Sequence, residues 1–135
     1  DVYKRQLINE RRLEETIRFM GTADDINNYL QAMDLMLLPS LYEGFPVTVV
    51  EWQANGLPCI VSDTITKDVK ITDLVKQLSI EDGTTIWKNE ILKHNNEVDV
   101  ETRKSYYIKV SKAGYNIKNN VSSLKEHYIE RLGDN

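Results

Sequence analysis

Leu35-Met36-Leu37-Leu38-Pro39-Ser40-Leu41-Tyr42-Glu43-Gly44-Phe45-Pro46-Val47-Thr48-Val49-Val50-Glu51 is the stretch on which the fold turns. Its first part, Leu35 to Pro39, is a continuous apolar run closed by proline, the pattern of a strand buried on both faces of a parallel sheet. A short polar loop follows. Pro46 to Asn55 then reads as a helix, with proline in the first turn and Gly56 just past the end. Pro58-Cys59-Ile60-Val61-Ser62 repeats the buried-strand pattern. Strand, helix and strand in this order predict an α/β fold with a parallel sheet.

Outward from this unit the alternation continues. Leu7 to Arg12 looks like a helix end, and Ile17 to Gly21 like a short strand closed by glycine. Thr22 and Asp24 are cap candidates for a helix reaching about Met33, with Ile26, Leu30 and Met33 at helical spacing. Val75 to Ser79 is a further strand candidate. Beyond Asp82 three helices are expected, over Thr84–Lys93, Glu101–Ala113 and Ile117–Leu132, punctuated by Asn95-Asn96 and Gly114. The expected organisation is a partial Rossmann-like sheet flanked by helices over residues 1–83. A helical C-terminal segment, 84–135, packs on it within the same structural domain. Three or four strands are few for this class, and there is no initiator Met. Both features suggest a chain that begins mid-protein, so the first six residues receive no structural weight.

Composition narrows the function. The chain has 135 residues and a net charge of −4, which disfavours nucleic acid as a partner. No apolar run approaches the ~20 residues that span a bilayer. A single cysteine, Cys59, permits no internal disulfide and suits a cytoplasmic location. In its apolar run it reads as a core residue. His94 and His127 have no companions at metal-ligand spacing, so no metal is expected. Lysines and arginines gather near the start (Lys4, Arg5, Arg11, Arg12) and near the end (Lys104, Lys109, Lys112, Lys118, Lys125). They read as solvated helix faces or as weak peripheral contact with an anionic membrane.

The candidate site is the turn from strand to helix. Ligands of open α/β sheets bind at the carboxyl ends of strands. A helix N-terminus there offers free amides and a positive dipole end, which suits phosphate. Gly44 lets backbone approach a ligand closely, whereas Pro46 has no N–H. Donors must therefore come from Gly44, Phe45, Val47 and Thr48. With Val47 at zero and about 100° per residue, Val50 falls near 300°, Ala54 near 340° and Glu51 near 40°. This places Glu51 on the apolar face, where an unpaired carboxylate costs several kcal/mol. A ligand diol would satisfy it, and so would an internal ion pair or backbone bond; the wheel leaves both open. Trp52, near 140°, falls off that stripe. Glu43 precedes the helix, where an acid alone is explained by the helix dipole. Paired with Glu51, with seven residues between them, it flanks the phosphate-ready end. Ser40 lacks a nucleophile elbow and reads as a turn residue.

These residues, in order, resemble a known family. Glu43 to Glu51 is similar to the E-x7-E motif of the glycosyltransferase group 1 family, retaining enzymes of the GT-B fold. Phe19-Met20-Gly21 resembles its strand-ending F-[LM]-G. Ala32-Met33-Asp34 with the following strand and Pro39-Ser40 resembles its A-x-D and P-S elements. Glu51-Trp52-Gln53-Ala54-Asn55-Gly56-Leu57-Pro58 resembles E-x-x-A-x-G-x-P. The match covers Ile17 to Asp63. Many members have glycine at the position of Pro46.

The resemblance implies a C-terminal donor-binding piece of a sugar transferase, with the N-terminal acceptor domain absent from these 135 residues. It implies a nucleotide-sugar donor, a UDP-sugar foremost, and transfer with retention to a lipid-linked or polysaccharide acceptor, without a metal. Glu43 would meet the transferred sugar as an orienting catalytic group. The backbone of Gly44, Phe45, Val47 and Thr48, around Pro46, would hold sugar and diphosphate. Glu51 would bind the ribose, and Gly21 would lie beside the base. The implied location is cytoplasmic, with peripheral contact at the inner face of the membrane. The rival expectations are a nucleotide-binding module without transfer activity, a sugar-nucleotide epimerase of the same fold, and an α/β domain without a ligand.

Overall fold

The structure is a computed structural model that describes residues 2–94 and 99–133. In chain order its elements are α1 (Val2–Glu10), α2 (Ile26–Gln31), β1 (Met36–Leu38), α3 (Val47–Ala54), β2 (Cys59–Ser62), a 3-10 turn (Lys67–Val69), β3 (Val75–Leu78), α4 (Gly83–Ile91), α5 (Val100–Lys112) and α6 (Ile117–Gly133). The three strands form one parallel sheet in the order β1-β2-β3. Met36 lies opposite Cys59, and Cys59 opposite Val75. The expected Rossmann-like α/β unit is present, with helices flanking a small parallel sheet.

β2 is the one central strand, and all four of its residues are buried. Cys59 and Val61 point to the core they share with Leu30, Val49, Trp52, Leu57, Ile65, Val69 and Val75. β1 departs from its sequence reading. Met36 and Leu38 pack on that core, but Leu37, on the other face, is 42% exposed. An edge strand has a neighbour on one side only, so the same apolar run is half covered rather than sandwiched.

α3 follows the expected limits within a residue, with Pro46 as its N-cap and Gly56 after its end at φ +69°. Its orientation does not follow the wheel. Val49, Val50, Trp52 and Gln53 are buried, whereas Val47, Thr48 and Glu51 are exposed. The buried arc centres between Val49 and Gln53, so Trp52 is a core residue and Glu51 is on the open face. Val47 was a false phase reference, because a residue in the first turn can clear the sheet even when apolar.

The C-terminal end of α3 is locked. Gln53 is fully buried, and its Nε2 donates to the carbonyls of Val49 (3.0 Å) and Val69 (2.8 Å). Its Oε1 accepts from the amides of Ile71 (3.1 Å) and Thr72 (2.9 Å) and from the Thr72 hydroxyl (3.0 Å). One amide side chain thereby fixes the β2–β3 crossover to α3. At Gly56 the backbone of α5 passes so closely that a Cβ would sit 2.7 Å from Arg103 Cα. Arg103 in turn donates to the carbonyls of Met33 (2.8 Å) and Leu30 (3.4 Å), closing the end of α2.

Other departures lie toward the termini. Val2 to Gln6 belong to α1, which ends at Glu10 and is stopped by Arg12 at φ +54°. Residues 17–20 form no strand: Ile17 and Met20 are exposed, and Phe19 lies under the Arg5 guanidinium, 4.5 Å from its ring centroid. The run packs toward α1 through Phe19 and Arg5, and leaves the outer edge of β1 unpaired among the described residues. α2 is shorter than expected and is capped by Asp25, not Thr22 or Asp24, with Asp25 accepting from the Asn28 amide. The three late helices match within one or two residues; Asn95-Asn96 lie outside the described residues. α6 is exposed along its whole described length. No described helix is long and apolar enough to cross a membrane.

Candidate functional site

The chain leaves β1 at Leu38 and loops through Pro39 to Pro46 into the head of α3. Two hydrogen-bond sets hold the start of this loop. The Ser40 hydroxyl donates to Glu43 Oε1 at 2.8 Å. The Ser40 carbonyl accepts from the buried Ser62 hydroxyl and from Thr64 Oγ1 (2.9 Å). The Ser62 and Thr64 hydroxyls are 2.8 Å apart. The carboxyl end of β2 thus clamps the carboxyl end of β1, and Ser40 passes that clamp on to Glu43. Ser40 is more than a turn residue: its carbonyl meets the hydroxyls of the next strand while its own hydroxyl, three residues before Glu43, holds that carboxylate.

At the head of α3, Pro46 supplies no capping side chain. The amides of the first turn have no intrahelical acceptor, and the Val49 amide alone turns back, to the Pro46 carbonyl at 3.0 Å. Val47 and Thr48 therefore present donors at an exposed helix end. Gly44 leaves the approach open: a Cβ there would meet nothing within 4 Å. Glu51 lies one turn on, on the same exposed face as Val47 and Thr48. Its carboxylate has no hydrogen bond or ion pair with any described residue. The internal-pair alternative of the sequence reading is therefore removed, and so is the burial from which that reading started.

Phe45 is tied elsewhere. Its ring stacks on Tyr115, centroids 6.2 Å apart and planes 1° from parallel. Gly21 stands at φ +71° with open space around it. Among the described residues no hydrogen bond or ring contact joins it to residues 43–51. The structure thus gathers Glu43, Gly44, Phe45, Pro46, Val47, Thr48 and Glu51 around one helix end, and does not bring Gly21 into contact with them.

A hollow of about 580 Å³ opens away from this loop, at the opposite end of α3, beside Asp34, Asn55, Arg103 and Tyr107. Its two cationic groups are engaged, the Arg103 guanidinium with two backbone carbonyls and the Lys104 ammonium with Glu101. It is the crevice left where α5 crosses the ends of α2 and α3. The loop from Ser40 to Thr48 forms an open surface, which on chemistry is the better ligand site. Among the described residues no cluster of three or more metal-ligating side chains occurs. Cys59, buried against the Leu57 carbonyl, has its thiol pushed up to about 12 by burial, which makes it a core residue and no nucleophile.

An uncapped helix end and an exposed carboxylate thus lie together beyond the carboxyl end of a strand in a parallel α/β sheet. The model of the glycosyl transferases group 1 matches residues 2–93, and the chain belongs to that family. It is 35% identical over 122 residues to a protein of Bacillus subtilis (strain 168) provisionally named the glycosyltransferase EpsF, covering 88% of this chain and 31% of that one. It is 34% identical over 130 residues to the UDP-Gal:alpha-D-GlcNAc-diphosphoundecaprenol alpha-1,3-galactosyltransferase of Escherichia coli, covering 91% of this chain and 32% of that one. A shorter match, 45% over 47 residues, is to the N,N'-diacetylbacillosaminyl-diphospho-undecaprenol alpha-1,3-N-acetylgalactosaminyltransferase of Campylobacter jejuni, covering 35% of this chain and 12% of that one. The chain spans about a third of the length of the first two relatives.

Proposed function

We propose that this chain supplies the donor-binding part of an enzyme that moves a sugar from a nucleotide-sugar, a UDP-sugar foremost, to a lipid-linked saccharide acceptor with retention of configuration. The observation that carries the proposal is the shared open face of Val47, Thr48 and Glu51 at the head of α3. Amides at a helix end meet a diphosphate, and a carboxylate with no protein partner accepts two ribose hydroxyls. Glu43, steadied by Ser40, orients the hydroxyls of the transferred sugar. Gly44, with space around it, admits the sugar against backbone. Gly21 lies on the side of the base. As the glycosidic bond breaks, charge gathers on the leaving diphosphate, and amides already aimed there stabilise it without reorganisation. This route needs no metal.

The acceptor class rests on the names of two relatives, which contain diphosphoundecaprenol acceptors. In this reading the longer protein works at the surface of a membrane, on its cytoplasmic side, and holds the acceptor with a part outside these residues.

Transfer from labelled UDP-sugars, assayed on the full-length protein that carries this chain, tests the reading. Glu51→Ala is expected to raise the donor KM about 10- to 100-fold, the equivalent of lost charge-assisted hydrogen bonds. Glu43→Gln is expected to lower kcat with little change in KM. Unchanged kinetics in Glu51→Ala would contradict the assignment, and donor epimerisation without acceptor would replace it with the epimerase alternative.

A further inference from the structure

We propose that Tyr115 is a positioning residue for the donor loop, acting through the ring of Phe45; this rests on the donor-site reading above. The loop from Leu41 to Pro46 has few restraints. Leu41 and Tyr42 are largely exposed, and Gly44 touches nothing that a side chain would meet. Its two side-chain anchors are Glu43 on Ser40 and Phe45 on Tyr115. Phe45 directly precedes Pro46, so the setting of its ring is transmitted within one residue to the head of α3.

Tyr115 is itself held rigidly. α5 ends in a Schellman turn: the Gly114 amide donates to the Ser111 carbonyl (3.2 Å) and the Tyr115 amide to the Val110 carbonyl (3.3 Å). Gly114 adopts φ +98°, which a residue with a Cβ adopts only under strain. Asn116 then fixes the start of α6, accepting from the amides of Lys118 (3.1 Å) and Asn119 (3.3 Å) and donating to Ser111 Oγ (2.8 Å). α5 is docked on α3 through buried Val110 and through Arg103 at Gly56. A continuous rigid path therefore runs from the body of the domain to the Tyr115 ring. The ring is 43% exposed and Phe45 41%, so the stack is a surface brace and not part of the core. Parallel rings at this separation lie within the range where aromatic pairs attract.

The test uses the full-length protein with Tyr115→Leu, Tyr115→Phe and, as a control on the exposed face of α6, Tyr128→Leu. Without ligand, Tyr115→Leu is expected to move the Phe45 ring resonances and to speed amide exchange at Gly44 to Thr48, while Tyr115→Phe and the control change neither. With donor, Tyr115→Leu is expected to raise KM about three- to tenfold at nearly constant kcat, and Tyr115→Phe to restore it. A merely structural role would lower the active fraction, and hence kcat, and leave KM alone. Unaltered Phe45 resonances and loop exchange in Tyr115→Leu would overturn the brace. Faster exchange with unchanged KM would overturn its role in binding, as would equal loss in Tyr115→Phe. Absence of any transfer by the parent protein would instead count against the donor-site reading, leaving the ligand-free comparison to decide the brace.

Discussion

The two ends of α3 are built to opposite rules. At the C-terminal end every polar group of Gln53 is bonded, Gly56 is pressed against Arg103, and Trp52 fills the core. At the N-terminal end Val47, Thr48 and Glu51 face outward, Gly44 has empty space beside it, and no side chain caps the helix. Eight residues separate a locked end from a receptive one. A helix fixed firmly at one end can hold free amides at the other without losing its place, which is the pre-organisation that anion binding needs.

The comparison breaks most visibly at the locked end. Gln53→Leu takes the acceptor from the buried Thr72 amide and hydroxyl, and is expected to destabilise the fold by about 2–4 kcal/mol in denaturant titration. Gly56→Ala adds a Cβ at positive φ against α5 backbone, and a loss of about 2–4 kcal/mol is expected. Either variant near wild-type stability would mean that this end is not locked. At the receptive end the effect falls on binding instead. Glu51→Ala should weaken donor binding by about 1.5–3 kcal/mol by calorimetry while the melting temperature stays within about a degree.

The core beneath both ends reports through pH. Burial raises the Cys59 thiol from 9.0 to about 12. The unfolded thiol ionises first, so its contribution is complete below pH 9 and is lost as pH climbs from 9 to 12. The slope is about 1.4 kcal/mol per pH unit. Tyr106, raised chiefly by burial and then by Asp73, acts in the same direction. Stability measured across that window should fall less steeply in Cys59→Ala. The smallest expected effect is at the clamp: Ser40→Ala should cost about 0.5–1.5 kcal/mol and loosen Glu43, seen as a lower kcat.

Much of this was legible in the sequence, and the difference between the ends explains what was not. β2, α3 and the late helices are strongly patterned, so their limits came within one or two residues. The family motif pointed to the N-terminal end of α3 because the expected chemistry lies in backbone and two acids close in sequence. The orientation of α3 was misread because periodicity gives relative angles and no phase; only the positions of β2, the 3-10 turn and α5 decide which arc is covered. Gln53 was passed over for a related reason, since its partners lie 16 to 19 residues away. Ile17 to Gly21 shows the limit of strand propensity: the sheet has an open edge at β1, yet Phe19 packs with Arg5 of α1 instead. Tyr115 and Phe45 are 70 residues apart, and nothing local announces their contact.

On the proposed reading the head of α3, and not the hollow at its foot, receives the nucleotide. UDP titrated into the full-length protein, followed by amide NMR, puts the two in direct competition. Shifts are expected to concentrate at Gly44, Phe45 and Val47 to Glu51, and to weaken in Glu51→Ala. Shifts centred on Asn55, Arg103 and Tyr107, or a response indifferent to Glu51, would contradict it.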